Sequence, residues 1–123
     1  MRFTGMFLVL SAMLFFAVSA WAQDPTKVAP DNYKQLFEND RVRVQHVYVK
    51  VDAKIPTHSH PDHLAYALSS CTISITGPDG KPETASVKEG DVIWFDAVTH
   101  SAHNVGTTEC HLLVVELKEP RTK

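Results

Sequence analysis

Arg41–Val51 reads RVRVQHVYVKV, a run in which charged or polar residues alternate with apolar ones. A period of two is the signature of a half-buried β-strand. The pieces that follow are of the same kind. Leu64–Leu68, Cys71–Thr76, Thr84–Val87, Val92–Phe95 and Cys110–Leu117 are short and rich in β-branched or aromatic residues. Turn-forming residues separate them, most clearly Gly77-Pro78-Asp79-Gly80 and Glu89-Gly90-Asp91. No stretch after residue 22 sustains a helical period. Many short strands at close spacing predict an all-β sandwich or barrel.

Length and composition bound the rest. The chain has 123 residues, of which 44% are hydrophobic and 21% charged, close to the globular average and enough for one domain. Fourteen acidic residues against 12 basic ones give a net charge of −2, with no basic footprint to support nucleic acid as a partner.

The first 22 residues differ chemically from the others. Arg2 is the single charge before Asp24, Met6–Val18 is continuously apolar, and Ala20-Trp21-Ala22 has the small-x-small pattern of a cleavage site. Residues 1–22 are therefore expected to be a signal peptide cut before Gln23, placing the mature chain in a periplasm or outside the cell, with no membrane segment after cleavage. An uncleaved anchor is the alternative, since about 20 residues just reach across a bilayer. Residues 23–38, with two prolines and no periodicity, are expected as a lead-in. The barrel is expected over 39–119 and a tail over 120–123. Cys71 and Cys110 both fall in the mature part, where export favours disulfides.

Seven histidines are many for this length. His58 and His60 are two apart, so in an extended chain both imidazoles reach one point. His63 follows after Pro61 and shares its face with Ala65 and Ala67, small residues that leave room beside it. His100 and His103 come from a later segment; being three apart, at most one joins the cluster. Imidazoles are common ligands for Fe, Ni, Zn and Cu. Two or three of them with open positions suit a catalytic or ligand-binding metal better than a closed structural one. His46, in an alternating strand with Val42, Val44 and Tyr48, is expected to pack, and His111 to be a surface or hydrogen-bonded residue.

His58-x-His60-Pro61, Gly90-Asp91-Val92-Ile93-Trp94-Phe95 and His100-x-x-x-Asn104 together resemble the two motifs of the cupin superfamily. The resemblance implies a jelly-roll β-barrel (double-stranded β-helix) with a divalent transition metal, Fe, Mn, Ni, Zn or Cu, inside its mouth. His58, His60 and His100 match family ligands, and Asn104 and Gly90 match the motif asparagine and glycine. The departures are Asp52 and Ser70 at glycine positions, Asp96 and Val98 at the second motif's proline and glycine, and no glutamate at the ligand position that follows His60 in the first motif. His63 stands nearest to that glutamate's place, with Asp62 its rival. The resemblance also implies that the strand after the first motif neighbours the last one, hence a Cys71–Cys110 disulfide. It implies a small-molecule substrate or ligand, with dioxygenase or isomerase chemistry or simple binding as the alternatives, and it allows a homodimer. Tyr66 and Asp62 are the candidate proton donors or acceptors, and Trp94 and Phe95 are expected as apolar filling.

Overall fold

A computed structural model describes residues 23–119. The expected signal peptide, 1–22, and tail, 120–123, lie outside these residues. A single helical turn, α1 (Pro25–Val28), precedes nine strands: β1 (Tyr33–Glu38), β2 (Val42–Val49), β3 (Lys54–His60), β4 (His63–Ala67), β5 (Cys71–Thr76), β6 (Pro82–Val87), β7 (Val92–Phe95), β8 (Val98–Asn104) and β9 (Cys110–Leu117). They form two facing antiparallel sheets, ordered β1-β2-β9-β4-β7 and β3-β8-β5-β6. The non-sequential order, with β9 between β2 and β4 and β8 between β3 and β5, is that of a jelly roll, as the sequence leads one to expect.

Residues 23–38 are built into this fold, unlike the lead-in read from the sequence. Asp24 caps α1 by accepting from Thr26 N at 2.9 Å and pairs with Arg43 at 2.5 Å. Tyr33 N donates to Ala29 O, and Asn32 bonds the Tyr48 backbone in both directions at 2.9 Å, which feeds β1 onto β2 as an edge strand. Polar side chains closing backbone turns, which carry no periodicity, explain why the pattern was silent here.

β2 is more unusual. Gln45, Val47 and Val49 face the interior, with Arg43 on the same side, whereas Val42, Val44, His46 and Tyr48 are only half-buried on the other face. His46 accordingly lies outside, stacked on His111 at a ring-centroid distance of 5.4 Å. Arg43 is tolerated inside because Glu116, opposite it on β9, accepts two hydrogen bonds from its guanidinium at 2.9 and 3.1 Å.

β4 pairs with β7 so that His63 faces Phe95, Leu64 faces Trp94, and Ala65 faces Ile93. The His63–Phe95 and Ala65–Ile93 pairs point inward. Trp94 is 52% exposed, which corrects its expected place in the core. Cys71 and Cys110 are joined, with Cα atoms 5.3 Å apart. The pairing is as expected but its setting differs. Cys71 opens β5 in one sheet and Cys110 opens β9 in the other, so the bond staples the two sheets together instead of joining neighbours within one.

Candidate metal centre

A bulge makes the site. The β3–β8 register shifts between Ile55 and His58, so Ile55, His58 and His60 all face inward although the first two are three residues apart. Pro56, which cannot donate to the ladder, lies within the shifted stretch. Bulges commonly re-aim side chains beside functional sites. His58 lies directly opposite His100 on β8. One ring nitrogen from each of His58, His60 and His100 comes within 4.8 Å of the others, and all three residues are buried. The ring centroids of His58 and His100 are 4.7 Å apart, and those of His58 and His60 are 4.9 Å apart.

The rings are oriented from behind. His58 donates from Nδ1 to Pro56 O at 2.7 Å, which leaves Nε2 as the lone-pair nitrogen. His60 turns Nδ1 toward Glu116 Oε1 at 3.4 Å. A carboxylate or carbonyl behind a ligating imidazole fixes both its tautomer and its direction. Burial, reinforced by neighbouring histidines, pushes His58 down to about 4 and His100 down to about 3. Both are therefore neutral near pH 7, the form that binds metal.

His63 is buried beside His60, with centroids 4.5 Å apart, and stacks flat on Phe95 at 4.9 Å. Its Nδ1 donates to Pro61 O, and burial lowers its pKa. It flanks the mutually close set without being part of it. Asp62 is exposed and accepts from Ala97 N at 2.7 Å, closing a loop. Tyr66 is 40% exposed on the outer face of β4. Neither candidate proton-transfer residue reaches the site: Pro61 turns Asp62 out of the strand, and the alternation of β4 places Tyr66 opposite His63 and Ala65. His103 is outside, bonded to Asp52 at 2.8 Å. Asn104 is structural, donating to Val49 O and Thr108 O and accepting from Gly106 N. Asp52 adopts φ 64°, the left-handed conformation that the family's glycine suits.

The site includes residues the sequence reading passed over. Glu116 is 2% exposed and joins His60 to Arg43 and, through it, to Asp24. Its sequence signal was a carboxylate in the otherwise apolar inward phase of β9, after Cys110, Leu112 and Val114. Tyr33, 7% exposed, places its hydroxyl 3.0 Å from His58 Nε2 and 3.4 Å from His60 Nε2. Gln45 is fully buried on the inner face of β2, one residue row from Arg43 and Glu116 and one from Val47 and Tyr33. Its Oε1 and Nε2 are both without a hydrogen-bond partner. Buried amides are almost always satisfied, so an orphaned one on the same interior face as Tyr33 and Glu116 points to a polar guest. The neutral His58 and His100, the fixed tautomer of His58 and this buried amide fit a divalent transition metal.

A cavity of about 790 Å³ lies beside the triad, walled by Ala65, Ile73, Ile75, Val87, Ile93 and Phe95, with His100 in its wall. It opens between the edge strands β6 and β7, where Glu83 and Ala85 line it and yet stay exposed.

Facing jelly-roll sheets around a buried histidine triad and a cavity define a double-stranded β-helix protein with the makings of a metal centre. Residues 45–116 match the family model of the cupin domain, and the chain belongs to that family. Its fold is similar to a cupin domain from Bordetella pertussis (TM-score 0.65, 20% identity, 71% of this chain and 92% of that one). It is also similar to an RmlC-like cupin from Methanocaldococcus jannaschii (TM-score 0.58, 17% identity, 70% and 78%). A third likeness is to the polyketide cyclase RemF of Streptomyces resistomycificus (TM-score 0.54, 24% identity, 71% and 64%). No curated protein matches the chain.

Proposed function

We propose that this cupin is exported, binds one divalent transition metal through His58, His60 and His100, and presents it to a small, largely apolar molecule in the adjoining cavity. The observation that carries the reading is the double role of His100, which belongs to the triad and to the cavity wall. When bound, such a metal supplies Lewis acidity and open coordination positions, the basis of dioxygenase or isomerase chemistry. The protein's own contribution is to keep His58 and His100 neutral, fix the tautomer of His58 through Pro56 O, exclude water with Ile73, Ile93 and Phe95, and bury the guest. The apolar run of residues 6–18 and the Cys71–Cys110 bond support an oxidising compartment outside the cytoplasm.

A non-catalytic binding module is the second reading. It is favoured by the cavity's inner wall, where His100 is the one titratable side chain among the described residues and the charged groups sit at the rim. Elemental analysis of protein purified without chelators, beside a His58→Ala/His100→Ala double variant, tests the common part of both. About one equivalent in the wild type, lost in the variant, is the expected result. A wild type that neither carries nor takes up Fe, Mn, Ni, Zn or Cu overturns it. Product formation then separates enzyme from binder, which would show ligand-induced stabilisation alone.

A further inference from the structure

We propose that Tyr33 is a fourth protein ligand of the metal centre, its phenolic oxygen lying 3.0 Å from Nε2 of His58 and 3.4 Å from Nε2 of His60. The inference rests on the metal reading above and deepens it: the residue that completes the site comes from β1, ahead of the strands that carry the motif histidines.

Spacing is the first argument. Two donors each about 2.0–2.1 Å from one ion, at the angles of tetrahedral or octahedral coordination, lie roughly 2.9–3.4 Å from each other. Both Tyr33 distances fall in that interval. The second argument is direction. Pro56 O behind His58 and Glu116 behind His60 turn both Nε2 atoms toward the phenolic oxygen. The rings meet Tyr33 at tilted angles, 60° and 48°, with centroids 5.3 and 5.6 Å away, so the oxygen and not the ring face is what approaches them.

The third argument is that the segment holding Tyr33 is anchored independently of the triad. Its backbone N–H bonds to Ala29 O, its β-partner is Val47, and Asn32 just before it is tied twice to Tyr48. Gln23 Oε1 accepts from Ser59 Oγ at 2.7 Å, in the residue between the two histidines. The hydroxyl is thereby held at the site without help from a metal, as preorganised ligands are. His63 and Asp62, the candidates nearest to the family glutamate in sequence, are engaged by Phe95 and by Ala97 N respectively.

Coordination exchanges the Tyr33 O–H bond for an oxygen–metal bond, with the proton leaving to solvent and no electron transferred. The test is titration of Cu(II) into the metal-free chain, read by visible absorption and by stoichiometry. The wild type is expected to bind one copper and develop a phenolate-to-copper charge-transfer band. Tyr33→Phe, which keeps the ring, is expected to lose the band and to bind copper roughly tenfold or more weakly. Thermal melting of the metal-free variant checks that it is folded. Copper bound at one equivalent by the wild type without a band overturns the assignment, as does a band that survives in Tyr33→Phe. No copper uptake by the wild type overturns the metal reading together with it, and stoichiometry tells these failures apart.

Discussion

Glu116→Gln separates what holds the site from what merely holds the fold. The carboxylate is 2% exposed, takes two hydrogen bonds from Arg43 at 2.9 and 3.1 Å, and faces His60 Nδ1 at 3.4 Å. Glutamine preserves the shape and one acceptor while removing the charge. A hydrogen bond to a charged group contributes about 1.5–3 kcal/mol and a neutral one about 1 kcal/mol, so each contact weakens by about 0.5–2 kcal/mol. Arg43 keeps Asp24 at 2.5 Å, so its guanidinium is not left alone, and the loss in stability stays near 1–3 kcal/mol instead of the larger cost of an orphaned buried charge. At the metal, a change of about 1.4 kcal/mol in holding His60 is tenfold in affinity. Outer partners of ligating histidines typically govern 10–100-fold. The assay is a competition titration with a chelating indicator at pH 7, alongside urea denaturation of the metal-free protein. A variant that loses stability yet binds metal within twofold of the wild type refutes the orienting role and leaves Glu116 as an ion-pair partner alone.

Other perturbations probe the frame around the site. Reducing Cys71–Cys110, which closes a separation of 39 residues, is expected to lower stability by about 4 kcal/mol on the chain-entropy account; a loss below about 1 kcal/mol in matched oxidised and reduced denaturation curves contradicts it. Metal-free protein is expected to weaken in acid. His58 and His100 are held near 4 and 3 in the fold, against an ordinary value near 6.5, so the unfolded chain takes up their protons first. Their contribution is complete above about pH 6.5 and is lost as pH falls toward those folded values. Between pH 7 and 5 the loss is about 2 kcal/mol per histidine, and equal urea midpoints at the two pH values rule it out. Asp52→Gly should stay within about 0.5 kcal/mol of wild type and Asp52→Ala should cost about 1 kcal/mol more, because only the second forces a Cβ without a polar tip into φ 64°. Equal midpoints for both variants in thermal melts count against that account.

The strands and the first two histidines of the cluster were legible because each depends on local geometry. Alternation and turn residues announce strands wherever they pack, and a histidine pair two apart shares a face in any extended segment. Facing was harder. In Arg41–Val51 valines occur in both phases, Val42 and Val44 in one and Val47 and Val49 in the other, so the pattern did not say which side is interior. Arg43 and Glu116, two residues that composition assigns to solvent, resolve it by neutralising each other across β2 and β9. The bulge between Ile55 and His58 was likewise invisible, because it depends on the partner strand β8. Tyr33 and Glu116 reach the triad only through strand order, β1 and β9 flanking β2, and pairing between segments so far apart leaves no periodic trace. Asp62 and Tyr66 lie near the histidines in sequence, but the turn at Pro61 and the alternation of β4 carry both away.

The stapled sheets bear on how so short a chain stays hollow. Small domains normally fill their interiors with side chains, because each wall atom facing empty space forgoes attractive contacts. Here Ala65 and Ala85 leave their side of about 790 Å³ unfilled, and Cys71 is part of the wall. A covalent tie at that wall holds the layers at a fixed separation where there is little matter between them to do so. The cystine thus acts as a strut, and the concave wall that could receive a guest is kept apart in a fold that packing alone would tend to close.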